Sequence, residues 1–126
     1  MILIFGGSYQ GKLAYTLERF DLAECDIYRC REDDPAIPKG KKVIYEIDKW
    51  LLGLLKAQAD TKQPLRQFIE ANTEAIVICN DISCGIVPAE AILRQWREAV
   101  GYTMAELSRS AHEVVRLYCG LPTKIK

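Results

Sequence analysis

Charge of one sign is not in excess. Lysine and arginine together number 17, and so do aspartate and glutamate, so no global field draws in nucleic acid or an anionic membrane surface. Any affinity for phosphate has to be local. Apolar runs of membrane-spanning length, about 20 residues, are missing. The run over residues 1–5 stops at Gly6, too soon for a secretory signal. A soluble, cytoplasmic protein is therefore expected, with neither nucleic acid nor membrane as a partner. Histidine is almost lacking: His112 is the single one, with no orienting partner visible beside it. The five cysteines (Cys25, Cys30, Cys79, Cys84, Cys119) are odd in number and no histidine accompanies them. Their two C-x4-C spacings are looser than a zinc knuckle, so they read as buried or incidental thiols and no metal site is expected from them.

What is present is enough for a core. A chain of 126 residues with 49% apolar content fits one domain over residues 1–126. Residues 2–5 read as a strand and Lys12 to Phe20 as a helix, with Leu13, Leu17 and Phe20 at helical spacing. Residues 26–29 suggest a second short strand. The charged stretch 31–42, with Pro35, Pro38 and Gly40, reads as a solvated loop. Residues 43–47 form the next strand candidate, and helices follow over 50–57 and 65–71, separated by a break at 60–64. Residues 75–79 are apolar on both faces, as in a parallel strand covered on two sides. A turn over 80–88 leads to a long amphipathic helix at 89–111, with Ile92, Trp96, Val100 and Leu107 on its stripe and Gly101 as a candidate bend. Residues 114–119 close as a last strand. Strands alternating with helices predict an α/β fold in three layers around a mostly parallel sheet, since parallel neighbours are joined by right-handed crossovers.

The strongest motif lies between the first strand and the first helix. Gly6-Gly7-Ser8-Tyr9-Gln10-Gly11-Lys12 fits the P-loop pattern G-x-x-x-x-G-K in the required context. The glycines let successive N–H groups curl around phosphate oxygens, the helix start adds partial positive charge, and Lys12 brings a full charge to the β and γ phosphates. Residues 6–13 are thus the expected nucleotide-binding residues, with ATP or GTP as ligand. One position departs from the pattern. Leu13 stands where a serine or threonine hydroxyl would hold magnesium, which counts against Mg²⁺ as a companion of the nucleotide. The Thr16 hydroxyl, one turn on, points away from that place. Glu46, near the end of its strand, stands where a Walker B carboxylate would. Lys12 and Glu46 are the expected catalytic residues.

A second motif, Asn80-Asp81-Ile82-Ser83-Cys84-Gly85-Ile86-Val87-Pro88, is similar to the Asn-Glu-Val-Gly-x-Gly-Ile-Val-Pro signature of the bifunctional adenosylcobinamide kinase and adenosylcobinamide-phosphate guanylyltransferase family. The phosphate loop also resembles that family's opening. Arg94, Trp96, Arg97, Glu98 and Gly101 are similar to its Arg-x-Phe-Arg-Asp-x-x-Gly pattern, and residues 120–126 to its carboxyl terminus. The resemblance implies a P-loop NTPase-like fold, a nucleotide at the loop, phosphorylation of a hydroxyl on a cobinamide-like small molecule, and a homo-oligomer, often a trimer. In the full enzyme it also implies guanylyl transfer through a histidine between the loop and the Walker B strand. That segment is much shorter here and holds no histidine. Met104-Ala105 replaces an Asn-Gln pair of the family on the long helix. Two readings follow: a reduced kinase of this family without guanylyl transfer, and a nucleotide-binding or regulatory relative that has lost catalysis. A scaffold without nucleotide affinity is the third.

Overall fold

The computed structural model describes residues 1–38 and 40–126; within the expected 31–42 loop, residue 39 lies outside the described residues. Among the described residues, six strands form one sheet: β1 (Ile2–Gly6), β2 (Ile27–Arg29), β3 (Val43–Tyr45), β4 (Ile76–Asn80), β5 (Glu113–Tyr118) and β6 (Leu121–Lys124). Four α-helices occur among the described residues: α1 (Lys12–Phe20) between β1 and β2, α2 (Ile47–Lys56) and α3 (Lys62–Ala71) between β3 and β4, and α4 (Ala91–Ser110) between β4 and β5. The sheet order is β2-β3-β4-β1-β5-β6. Every pairing is parallel except the antiparallel one between β5 and β6.

The layers follow from which faces are apolar. Leu3, Val77 and Ile44 on one face pack with Trp50, Leu51 and Leu54 of α2, Leu65 and Phe68 of α3, and Val100 and Leu107 of α4. Ile4, Ile78, Val43 and Val115 point to the other face, where Leu13, Tyr15 and Phe20 of α1 cover them. Both faces of the central strands are therefore dry, as a parallel sheet with helices on two sides requires. This is a P-loop-type α/β fold in three layers. Among the described residues, no helix is long and apolar enough to cross a membrane.

Three boundaries differ from the sequence-based expectation. The apolar run 43–47 is not one strand: β3 ends at Tyr45, Glu46 turns left-handed (φ 61°, ψ 47°), and Ile47 already begins α2. Short apolar runs do not separate strand from helix by pattern alone. The break expected over 60–64 closes earlier, because Asp60 accepts the N–H groups of Lys62 (3.2 Å) and Gln63 (3.0 Å). Pro64 sits harmlessly in the first turn of α3, where its missing N–H costs nothing. Finally, β5 is not the last strand. Cys119 (φ 50°) and Gly120 (φ 76°) make a tight turn, and two successive positive φ values suit the twist of a two-residue hairpin. β6 then returns along the sheet edge, where Pro122 breaks no interior ladder.

Candidate nucleotide and phosphate site

At the carboxyl ends of the strands lies a cleft of about 530 Å³, the end of an open α/β sheet where ligands gather. One wall is the loop between β1 and α1. Gly6 is packed so tightly on β5 that a Cβ there would run into the Leu117 carbonyl oxygen. Its own carbonyl accepts the Asp81 N–H at 2.9 Å. Gly11 takes φ 80° as it caps α1, a conformation that costs a residue with a side chain. Tyr9 is also left-handed, at φ 60°, with its side chain wholly exposed at the lip. Gln10 receives the Cys119 N–H on its Oε1, so the turn between β5 and β6 is tied to the loop.

Lys12 is buried, at 4% exposure, and its Nζ donates to the Gly7 carbonyl at 2.7 Å. Burial pulls its pKa down, and the negative fields of Asp48 and Glu46 oppose that shift. Leu13 lines the cleft and packs on the apolar cluster under α1. It offers no oxygen. The Thr16 hydroxyl donates to the Lys12 carbonyl at 2.7 Å and is fully buried, so it does not replace the missing ligand.

The opposite wall holds carboxylates. Because β4 lies between β3 and β1, the strand end beside the loop is that of β4, where Gly6 faces Asn80; Glu46 stands one strand further out. Its Oε2 is buried without a hydrogen bond. Lys49 Nζ is 3.1 Å away in an ion pair whose angles do not make a hydrogen bond, and Arg29 Nε is 3.9 Å away. Asp48, in the first turn of α2, fills the gap and was missed by sequence reasoning. It is 2% exposed. It accepts the Asn80 N–H (3.1 Å) on Oδ1 and the Asn80 side-chain amide on both oxygens (3.2 and 3.1 Å). Burial raises its pKa against these bonds. Trp96 of α4 donates Nε1 to the Asp48 carbonyl at 2.6 Å and lines the cleft. The signal for Asp48 in sequence was a carboxylate two places after Glu46 in a largely apolar helix.

The 80–88 segment splits into two parts. Asn80 belongs to β4 and serves Asp48 rather than capping a turn. Asp81 does cap one, accepting the Ser83 N–H at 3.0 Å. Two arginines of α4 hold the rest: Arg97 donates to the carbonyls of Ile86 (3.1 Å) and Ser83, and Arg94 to those of Pro88 (3.0 Å) and Ala89 (2.5 Å). His112 is elsewhere. It precedes β5, and its N–H donates to the Met1 carbonyl, at the amino ends of the strands and thus on the far side of the sheet from the loop.

Residues 41–125 match the family model described as cobinamide kinase / cobinamide phosphate guanyltransferase. Glu46, Asp48, Asn80, Arg94, Trp96 and Arg97 fall inside that span, and the phosphate loop precedes it. No curated protein sequence matches the chain.

Proposed function

The chain belongs to the cobinamide kinase / cobinamide phosphate guanyltransferase family, and on that premise we propose that it binds a nucleoside triphosphate, ATP or GTP, at residues 6–13 and passes the γ-phosphoryl group to a hydroxyl of a cobinamide-type acceptor. The observation that carries this reading is one cleft holding a glycine-rich loop, a buried lysine and two carboxylates. Loop amides and the start of α1 cradle the phosphates. Lys12 leaves the Gly7 carbonyl to pair with the β and γ oxygens, an exchange that trades a neutral acceptor for a charged one. The acceptor oxygen attacks the γ phosphorus, the bond from that phosphorus to the β–γ bridging oxygen breaks, and the nucleoside diphosphate leaves. Glu46, whose Oε2 has no hydrogen bond, takes the hydroxyl proton.

Magnesium is the group this fold implies. The donor chemistry fits in part. Leu13 cannot ligate, but Asp48 is a buried carboxylate with no cation within ion-pair distance among the described residues. An unpaired buried charge is costly, and a hard cation relieves it. Asp48 would hold the ion, with the nucleotide's phosphates completing the set, and it would neutralise charge developing on those phosphates. Guanylyl transfer is outside the proposed activity. That chemistry needs a covalent nucleophile, and the one histidine sits at the opposite ends of the strands.

Calorimetric titration with ATP and with GTP, with and without magnesium, tests the reading on the native protein and on Lys12→Ala. Saturable binding that vanishes in the variant is the expected result; no binding under any condition sinks it. The second reading, a nucleotide-binding relative without catalysis, is favoured by Leu13. Leu13→Ser separates the two: magnesium-dependent turnover rises if the acceptor side is intact, and stays at background if this chain only binds. A homo-oligomer, suspected as a trimer, belongs to the same proposal, and sedimentation gives its mass directly.

A further inference from the structure

Beside the nucleotide cleft, Lys49 is shared with a second groove lined by Arg29, Cys30, Arg31, Glu32 and Asp33, of about 360 Å³. Most charges in this groove are already balanced. Arg31 pairs with Asp33 through two hydrogen bonds at 3.0 and 2.8 Å, and Glu32 pairs with Lys56 at 2.5 Å. Arg29 and Lys49 are different, because both lean on the single carboxylate of Glu46, at 3.9 and 3.1 Å, and neither makes a hydrogen bond to it. Two cations share one carboxylate, and among the described residues the planar donor fork of Arg29 makes no hydrogen bond. The fork is also oriented. Its Cζ lies 4.8 Å from the centre of the Tyr45 ring, at the same register step of the sheet, a contact that favours one placement of the guanidinium.

We propose that Arg29 and Lys49 form a second anion site, which takes a phosphomonoester and holds it beside the nucleotide rather than in its place. The sheet sets the separation. Between the phosphate-loop strand and the end of β2 lie β4 and β3, three steps of about 4.8 Å, or about 14 Å in all. A triphosphate gripped at Lys12 does not need the Arg29 fork, and a phosphomonoester at Arg29 leaves the loop open. Glu46 stands between the two sites and is released from its ion pairs as the anion takes over the cations. That the monoester is a phosphorylated acceptor rests on the phosphotransfer reading above; the anion site itself does not.

Amide and arginine side-chain NMR of the full chain, titrated with inorganic phosphate, tests this. Saturable shifts are expected at the Arg29 Nε–H, in wild type and equally in Lys12→Ala. Arg29→Gln should weaken that site by about tenfold, and Arg29→Lys by less, since charge remains while the two-pronged geometry is lost. ATP added first should shift the loop amides and leave phosphate able to bind at Arg29. A non-saturating response at Arg29, a site unchanged in Arg29→Gln, or displacement of phosphate by ATP each overturns the proposal. Absence of loop shifts with ATP counts against the nucleotide reading alone, and the phosphate titration still decides the second site.

Discussion

The two walls of the cleft are made of different material. The loop wall is backbone: Gly6, Gly7 and Gly11 shape it, and Lys12 alone adds a charge. The acidic wall is built of side chains, with Glu46 and Asp48 presented by β3 and α2, fixed from β4 by Asn80 and from α4 by Trp96. A contiguous backbone site needs only one stretch of sequence to be right. A side-chain site needs three elements docked in the right order. The loop wall should therefore break locally, and the acidic wall by loss of tertiary support.

The largest effect should come from the loop wall. Lys12→Ala removes the buried cation of the loop, and on the proposed reading nucleotide affinity should fall about a hundredfold or more, equivalent to about 2.7 kcal/mol. Calorimetry reads this, and the melting temperature of the apo-protein should not fall, because burying the lysine is itself unfavourable. Gly6→Ala should destabilise by about 2 kcal/mol, the cost of forcing a methyl group into close-packed backbone. Urea unfolding measures it, and an unchanged midpoint would contradict the close approach of Leu117.

On the other wall, Trp96→Phe keeps most of the ring but drops the bond to the Asp48 carbonyl. About 1 kcal/mol of stability should go with it, and the magnesium effect on nucleotide binding should shrink while loop binding without metal persists. Equal loss in both would erase the distinction between the walls. The smallest effect concerns protons. Asp48 has its folded pKa raised by burial, so the folded state holds that proton more tightly than the unfolded chain. Its contribution favours folding below the ordinary carboxylate range and is lost as pH rises through the folded pKa. Relative to Asp48→Asn, wild-type stability should fall as pH rises out of the ordinary carboxylate range and through the raised folded pKa. Glu113 has the opposite sign: the Arg19 guanidinium, 2.5 Å away in an ion pair, lowers its pKa, so what it adds is present at neutral pH and is lost on acidification. A flat difference between wild type and Asp48→Asn would show that the carboxylate is not buried in solution.

The same contrast explains what the sequence disclosed. α1 begins at Lys12 and ends at Phe20 as its spacing predicts, because strand, loop and helix are neighbours along the chain. The α/β layering was legible from residues 76–78, apolar on both faces. Asp48 was not legible, since nothing local says that β4 inserts between β3 and β1 and brings Asn80 to meet it. Glu46 was placed at a strand end correctly, but its left-handed turn and its distance from the loop by one strand depend on sheet order. The motif arginines were visible as motif only; their work, gripping the carbonyls of residues 83–89, depends on where α4 lies. The β5–β6 turn was overlooked because its first residue is Cys119, not one of the residues that usually mark such turns.

That turn offers a handle on the molecule. Cys119 presents an exposed thiol while its own N–H is held by Gln10 of the phosphate loop. With the exposed Cys25 and Cys84 replaced, a small environment-sensitive dye attached there would sit one hydrogen bond from the glycine-rich loop, and its emission would report in real time whether the loop responds to an added nucleotide.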